Sequence, residues 1–120
     1  MNDLANAYVG RPYRDLGRGP DAFDCWGLVL DASARLYGVT LPDLQESVAK
    51  RRRWRALDQL VAGAVVAMLD RRGRAYHVGL AIGPAYVLHT APISGARIES
   101  VDRMARFARA HSWRAYAWNA

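Results

Sequence analysis

Asp24-Cys25-Trp26-Gly27-Leu28-Val29 carries the chain's single cysteine at the point where a loop gives way to apolar residues at helical spacing. Upstream, Gly10, Pro12, Gly17, Gly19 and Pro20 punctuate an irregular segment over residues 10–23. Asp24 is a favourable N-cap, and Leu28, Val29, Ala32 and Leu36 then recur along one side of a helix predicted over Cys25–Tyr37. Gly38 supplies the stop and Pro42 follows it. A sulfur on the first residue of a helix faces unpaired backbone N–H groups and the positive end of the helix dipole. That placement predicts a sulfur biased toward thiolate, with the same N–H groups able to receive an oxyanion.

Outward from this helix, the pattern predicts a short helix over residues 4–8 and a mixed segment over 44–60, with a short helix around 57–61. The second half changes period. Strands are predicted over Val65–Leu69, residues 76–82, 86–90, 97–101 and 113–118, with a helix over 101–110 before the last. A helix followed by an antiparallel meander argues an α+β fold.

The two downstream histidines acquire a geometry from turn counting. A three-residue turn over 83–85 pairs Ile82 with Tyr86, sets Gly79 opposite His89, and sets His77 opposite Ala91. His77 and His89 then share a face as diagonal neighbours, with Cβ atoms roughly 7–8 Å apart. Val78, Leu80, Ile82, Tyr86 and Leu88 take the other face. The small residues Gly79 and Ala91 leave room beside the histidines, and the Cys25 helix is the expected occupant. In this reading Cys25 is a nucleophile, His77 its base, and His89 the group that holds His77 in its working tautomer. His111 lies apart as a surface or capping residue. Two other arrangements use the same residues: a buried thiol beside two hydrogen-bonded strand histidines, or a zinc site on Cys25, His77 and His89. The zinc site lacks the short paired spacings of structural zinc, so no metal and no cofactor are expected.

The chain has 120 residues, 52% of them hydrophobic, enough for a single domain over residues 1–120 with one modest core. A lone cysteine forms no internal disulfide. No apolar run approaches the ~18 residues of a membrane span. Residues 1–8 carry neither a basic nor an apolar leader region, so the expectation is synthesis in the cytoplasm without a signal peptide. The net charge of +6 is carried almost entirely by arginine, Lys50 being the sole lysine. Such charge suits either a solvated surface or attraction to a polyanion such as cell wall. The basic run at residues 50–55 lacks the interleaved aromatics of a base-stacking platform, and nucleic acid is not the expected partner.

Several blocks together resemble the NlpC/P60 cysteine peptidases: Tyr8-Val9-Gly10-Arg11-Pro12-Tyr13, Gly19-Pro20-Asp21-Ala22-Phe23-Asp24-Cys25-Trp26-Gly27-Leu28-Val29, Ala62-Gly63-Ala64-Val65-Val66, His77-Val78-Gly79-Leu80-Ala81-Ile82-Gly83 and Val87-Leu88-His89. Tryptophan after the cysteine is similar to the branch found in phage tails and gene-transfer agents. The resemblance implies a compact papain-like fold in which an N-terminal nucleophile helix packs on an antiparallel sheet. It also implies hydrolysis of peptidoglycan stem peptides, at a D-γ-glutamyl-diamino acid bond, by Cys25, His77 and His89. Tyr13 matches a tyrosine lining the site, Asp24 a capping and positioning acid, and Trp26 a bulky substitute for serine that reshapes a subsite. The implied setting is a virion or tail particle acting on the cell wall, with phage tail proteins as partners. A tail-assembly protein that retains the fold without hydrolysis is the alternative.

Overall fold

A computed structural model describes residues 3–119; the outermost positions of the expected single domain lie outside the described residues. One helical turn, α1 (Asp3–Asn6), precedes the irregular segment that leads to α2 (Cys25–Tyr37). The boundaries of α2 follow from its caps. Asp24 is extended, and its Oδ1 accepts from the Gly27 N–H at 2.7 Å. Gly38 has φ +66°, the left-handed conformation that glycine takes without strain, and its N–H returns to the Ala34 carbonyl.

The segment after α2 departs from the sequence pattern. Helix forms at α3 (Leu44–Ala49), where the Asp43 side chain accepts from the Leu44 N–H, and a single 3-10 turn covers Arg51–Arg53. No helix forms around residues 57–61; Trp54–Leu57 is instead the edge strand β1. Tertiary packing decides this. The Trp54 indole donates to Ser47 Oγ at 2.6 Å and packs against Trp118 and Trp26, with ring centroids 5.0 and 6.0 Å away.

The remaining strands are β2 (Val65–Leu69), β3 (Ala75–Ala81), β4 (Tyr86–Ala91), β5 (Gly95–Ser100) and, after α4 (Val101–Ala108), β6 (Ser112–Trp118). All pairings are antiparallel, in the order β1-β6-β2-β3-β4-β5. The expected meander runs from β2 to β5, and β6 returns to separate β2 from β1. The α+β class and the antiparallel sheet agree with the sequence pattern.

The sheet is covered on both faces. On one, Leu28, Val29 and Ala32 of α2 meet Val65, Leu80 and Leu88, with Tyr8 and Phe23 closing the end. On the other, Met104 of α4 meets Val66, Met68, Ala81 and Val87. This arrangement corrects the expected placement of α2. The helix packs on the Leu80/Leu88 face, and it is α4 that fills the space beside the histidines. A Cβ on Gly79 would lie 3.0 Å from Met104 Cε and 3.1 Å from His89 Cβ. Turn counting gives the face of each side chain but not which helix covers that face.

Candidate active site

The β3–β4 ladder has the predicted register, Leu80 opposite Leu88 and Ala81 opposite Val87, with Ile82 N–H bonded to the Tyr86 carbonyl. Its paired residues end at Leu80, although β3 continues back to Ala75. N–H groups alternate in direction along a strand. Ala81 N–H reaches the Ala64 carbonyl beside β2, and Ile82 N–H points to β4. By that alternation Val78 N–H points toward β4, beyond the last paired residues. The Cys25 sulfur accepts this hydrogen bond. The nucleophile candidate thus enters from the α2 side at the place where two strands separate, immediately beside His77.

His77 and His89 lie on the same face of the sheet. His77 Nε2 is 2.9 Å from His89 Nδ1, and the ring centroids are 5.2 Å apart. His77 Nδ1 is therefore the ring nitrogen that His89 does not engage. His89 is fully buried, and its Nε2 is hydrogen-bonded to Glu99 Oε2 on β5. Arg97 Nε is 2.9 Å from the same carboxylate oxygen, and its guanidinium lies 4.1 Å over the Phe107 ring. Glu99 is absent from the sequence-based site. The signal was there to find: a three-residue turn over 92–94 sets Ala91 opposite Gly95, and the same counting then makes Glu99 a diagonal neighbour of His89.

Burial controls the protonation states. It pushes the Cys25 thiol up; N–H groups of Val78, Trp26 and Cys25 oppose this, and Asp24 adds to it. It also brings His77 down to about 4, assisted by His89 and Arg97 and opposed by Glu99. His89 is lowered as well, chiefly by burial and against the pull of Glu99. At neutral pH the resting pair is a thiol beside a neutral imidazole. The expectation of a sulfur biased toward thiolate is corrected here: desolvation outweighs the helix-terminal N–H groups.

Asp24 acts as a cap. Its Oδ1 takes the Gly27 N–H and also Arg18 Nη1 at 2.7 Å, while Arg18 Nε and Nη2 grip both oxygens of Asp43 at 2.9 and 2.8 Å. One arginine thereby ties together the caps of α2 and α3. Tyr13 is partly buried on the loop, its phenol pushed up by burial, then by Asp15 and by the nearby charges of Cys25 and Asp24. Trp26 is buried, donates its indole N–H to the Pro42 carbonyl at 3.3 Å, and walls a groove of about 550 Å³. Cys25 and His77 open into this groove, whose floor is Val65, Ala67 and Leu69 and whose rim carries Val48 and Arg51. His111 is exposed at the start of β6, away from the pair. Among the described residues, no group of three His, Cys, Asp or Glu side chains is disposed to hold a metal ion.

The NlpC/P60 family model matches residues 10–115. A protein from Corynebacterium glutamicum named a probable endopeptidase is 34% identical over 87 residues, covering 72% of this chain and 40% of its own length. The chain therefore spans less than half of that relative. Among solved structures, the NlpC/p60 domain of the peptidoglycan hydrolase SagA superposes with a TM-score of 0.66 at 21% identity, covering 98% of this chain and 94% of that one. An NlpC/P60 family protein from Bacillus cereus gives a TM-score of 0.71 at 19% identity, covering 98% of this chain and 39% of that one. At these identities the structural likeness speaks for the fold.

Proposed function

The chain belongs to the NlpC/P60 family, and from that premise we propose that it is a cysteine endopeptidase that hydrolyses the peptide stems of peptidoglycan. The observation that carries the proposal is the seating of the Cys25 sulfur on the Val78 N–H, in one groove with a histidine whose far nitrogen meets His89. Membership of the family and a relative named a probable endopeptidase support the reaction.

The chemistry follows from the neutral resting pair. As the sulfur attacks the scissile carbonyl, its proton passes to His77 Nδ1, so that thiolate and imidazolium exist only as the new bond forms. The developing oxyanion lies against the start of α2. There the Gly27 and Leu28 N–H groups are already engaged by Asp24, which leaves those of Cys25 and Trp26 to receive it. His77 then protonates the departing amine, leaving a thioester. Water, deprotonated by the same imidazole, releases the acyl group as a carboxylate and restores the thiol.

The bond assigned is the one after D-γ-glutamyl, toward the diamino acid, and the setting is a phage tail or gene-transfer particle that opens the wall locally. The bond is taken from the family resemblance, and the setting from the likeness of the Asp24-Cys25-Trp26-Gly27 block to that branch. Tyr13 and Trp26 are assigned to the walls around the scissile residue, and Asp24 to holding the helix terminus. The charge of +6 assists approach to an anionic wall at short range, with screening beyond ~8 Å in physiological salt. The test is digestion of purified muropeptides by wild type and by Cys25→Ala, read by product mass. New termini at the D-γ-glutamyl bond, seen with wild type alone, are expected. Intact muropeptides in both digests reject hydrolysis in favour of a particle protein that has kept only the fold.

A further inference from the structure

We propose that Glu99 is a positioning residue of this site: through His89 it dictates which nitrogen of His77 carries the proton, and so leaves the other free to accept from Cys25. The inference rests on the assignment of His77 as the base.

Three groups stand in line. Glu99 Oε2 meets His89 Nε2, and His89 Nδ1 meets His77 Nε2 at 2.9 Å. Each imidazole, when neutral, has one donor and one acceptor nitrogen. An isolated pair of neutral histidines could orient its shared hydrogen bond in either direction. In one, His77 donates from Nε2 and its Nδ1 is an acceptor. In the other, His89 donates from Nδ1, and His77 must carry its proton on Nδ1, where it cannot take one from the thiol. A carboxylate only accepts. Placed at His89 Nε2, it requires the proton there, which makes His89 Nδ1 an acceptor, which in turn requires the proton on His77 Nε2. The direction of the whole chain is set at its far end. His89 alone leaves it undetermined.

The surroundings fit this task. His89 is fully buried, with the Phe107 ring edge-on at 5.8 Å, so no water competes for its nitrogens. Arg97 from β5 and Arg103 from α4 lie 2.9 and 4.0 Å from the carboxylate and help to hold it in place. When His77 accepts the thiol proton, the resulting imidazolium is separated from the carboxylate by a single neutral ring. The proton stays on His77, and Glu99 gains none.

The test uses the full chain with ¹⁵N-labelled histidine and compares wild type, Glu99→Gln and Glu99→Ala. In wild type, long-range ¹H–¹⁵N spectra should place the protons on Nε2 of both His77 and His89. Glu99→Ala should give a mixture of tautomers at both rings, and a fall in kcat on the order of tenfold to a hundredfold, as for outer partners that orient a metal's ligands, with KM little changed. Glu99→Gln keeps the shape and an accepting carbonyl oxygen, so it should recover most of the tautomer order but less of kcat. Unchanged tautomers and unchanged kcat in Glu99→Ala would overturn the proposal and leave Glu99 as a brace between β5 and α4, whatever its loss of thermal stability. The spectra do not depend on substrate, so a wild type that hydrolyses nothing removes the peptidase reading without deciding the role of Glu99.

Discussion

Acidification should destabilise this fold through His77 before the carboxylates titrate. The imidazole falls from its ordinary 6.5 to about 4 because folding buries it. As pH drops, the unfolded chain takes up this proton first, so stability is complete above 6.5 and is lost progressively as pH falls toward 4. The full displacement is worth at most about 3 kcal/mol, of which about 2 kcal/mol should be lost between pH 7 and pH 5. His89 is lowered too and acts in the same direction. The assay is urea unfolding of wild type and His77→Gln at intervals from pH 7.5 to pH 5. The wild-type curve should be the steeper by the amount attributed to His77. The ring's own Cε1–H resonance should titrate well below 6. Parallel curves, or a resonance that titrates near 6.5, would refute the claim that burial holds this imidazole neutral. The same neutral pair predicts kcat/KM that rises through about pH 4–5 and stays level through neutrality.

Asp24→Asn preserves a capping oxygen but removes the negative charge that helps push the thiol up. Iodoacetamide labelling against pH should show the thiol titrating lower than in wild type, and an unchanged or higher midpoint would count against this electrostatic account. Gly27→Ala should be far more costly than its position in a helix suggests, because its Cβ would lie 2.0 Å from the Gly17 carbonyl oxygen. A loss of about 3 kcal/mol or more is expected in thermal or urea unfolding, at the upper end for overpacking, and a variant as stable as wild type would show that the loop yields freely. Gly79→Ala meets the Leu88 carbonyl and His89 Cβ as well as Met104. It should lower kcat together with about 1–3 kcal/mol of stability, and kinetics of the folded fraction that match wild type would dissociate α4 packing from histidine placement.

Local chemistry made some features legible. The bounds of α2 follow from Asp24 and Gly38, whose capping roles depend on neighbours within four residues. The common face of His77 and His89 follows from a turn length and the two-residue repeat of a strand. What stayed hidden depends on contacts distant in sequence. β1 exists because Trp54 finds Trp118 and Ser47. Which helix lies over which face of the sheet depends on the path of the chain, so α2 and α4 could not be assigned from alternation alone. The protonation of Cys25 is not legible in sequence, because its helix terminus is visible there whereas the desolvation that outweighs it is not. Glu99 is within reach of turn counting, but only once a second turn, over 92–94, is counted as well as the one over 83–85.

The cysteine sulfur also completes the sheet's hydrogen bonding, and this bears on how an inactive control should be built. Alanine at position 25 removes the acceptor for Val78 N–H and leaves a backbone donor unpaired where the strands part, a loss of about 1–3 kcal/mol. Serine abolishes the thiol chemistry while still offering an oxygen to that donor. A comparison that takes Cys25→Ala as a purely chemical deletion would mix lost reactivity with a loosened seam, and the serine variant separates the two.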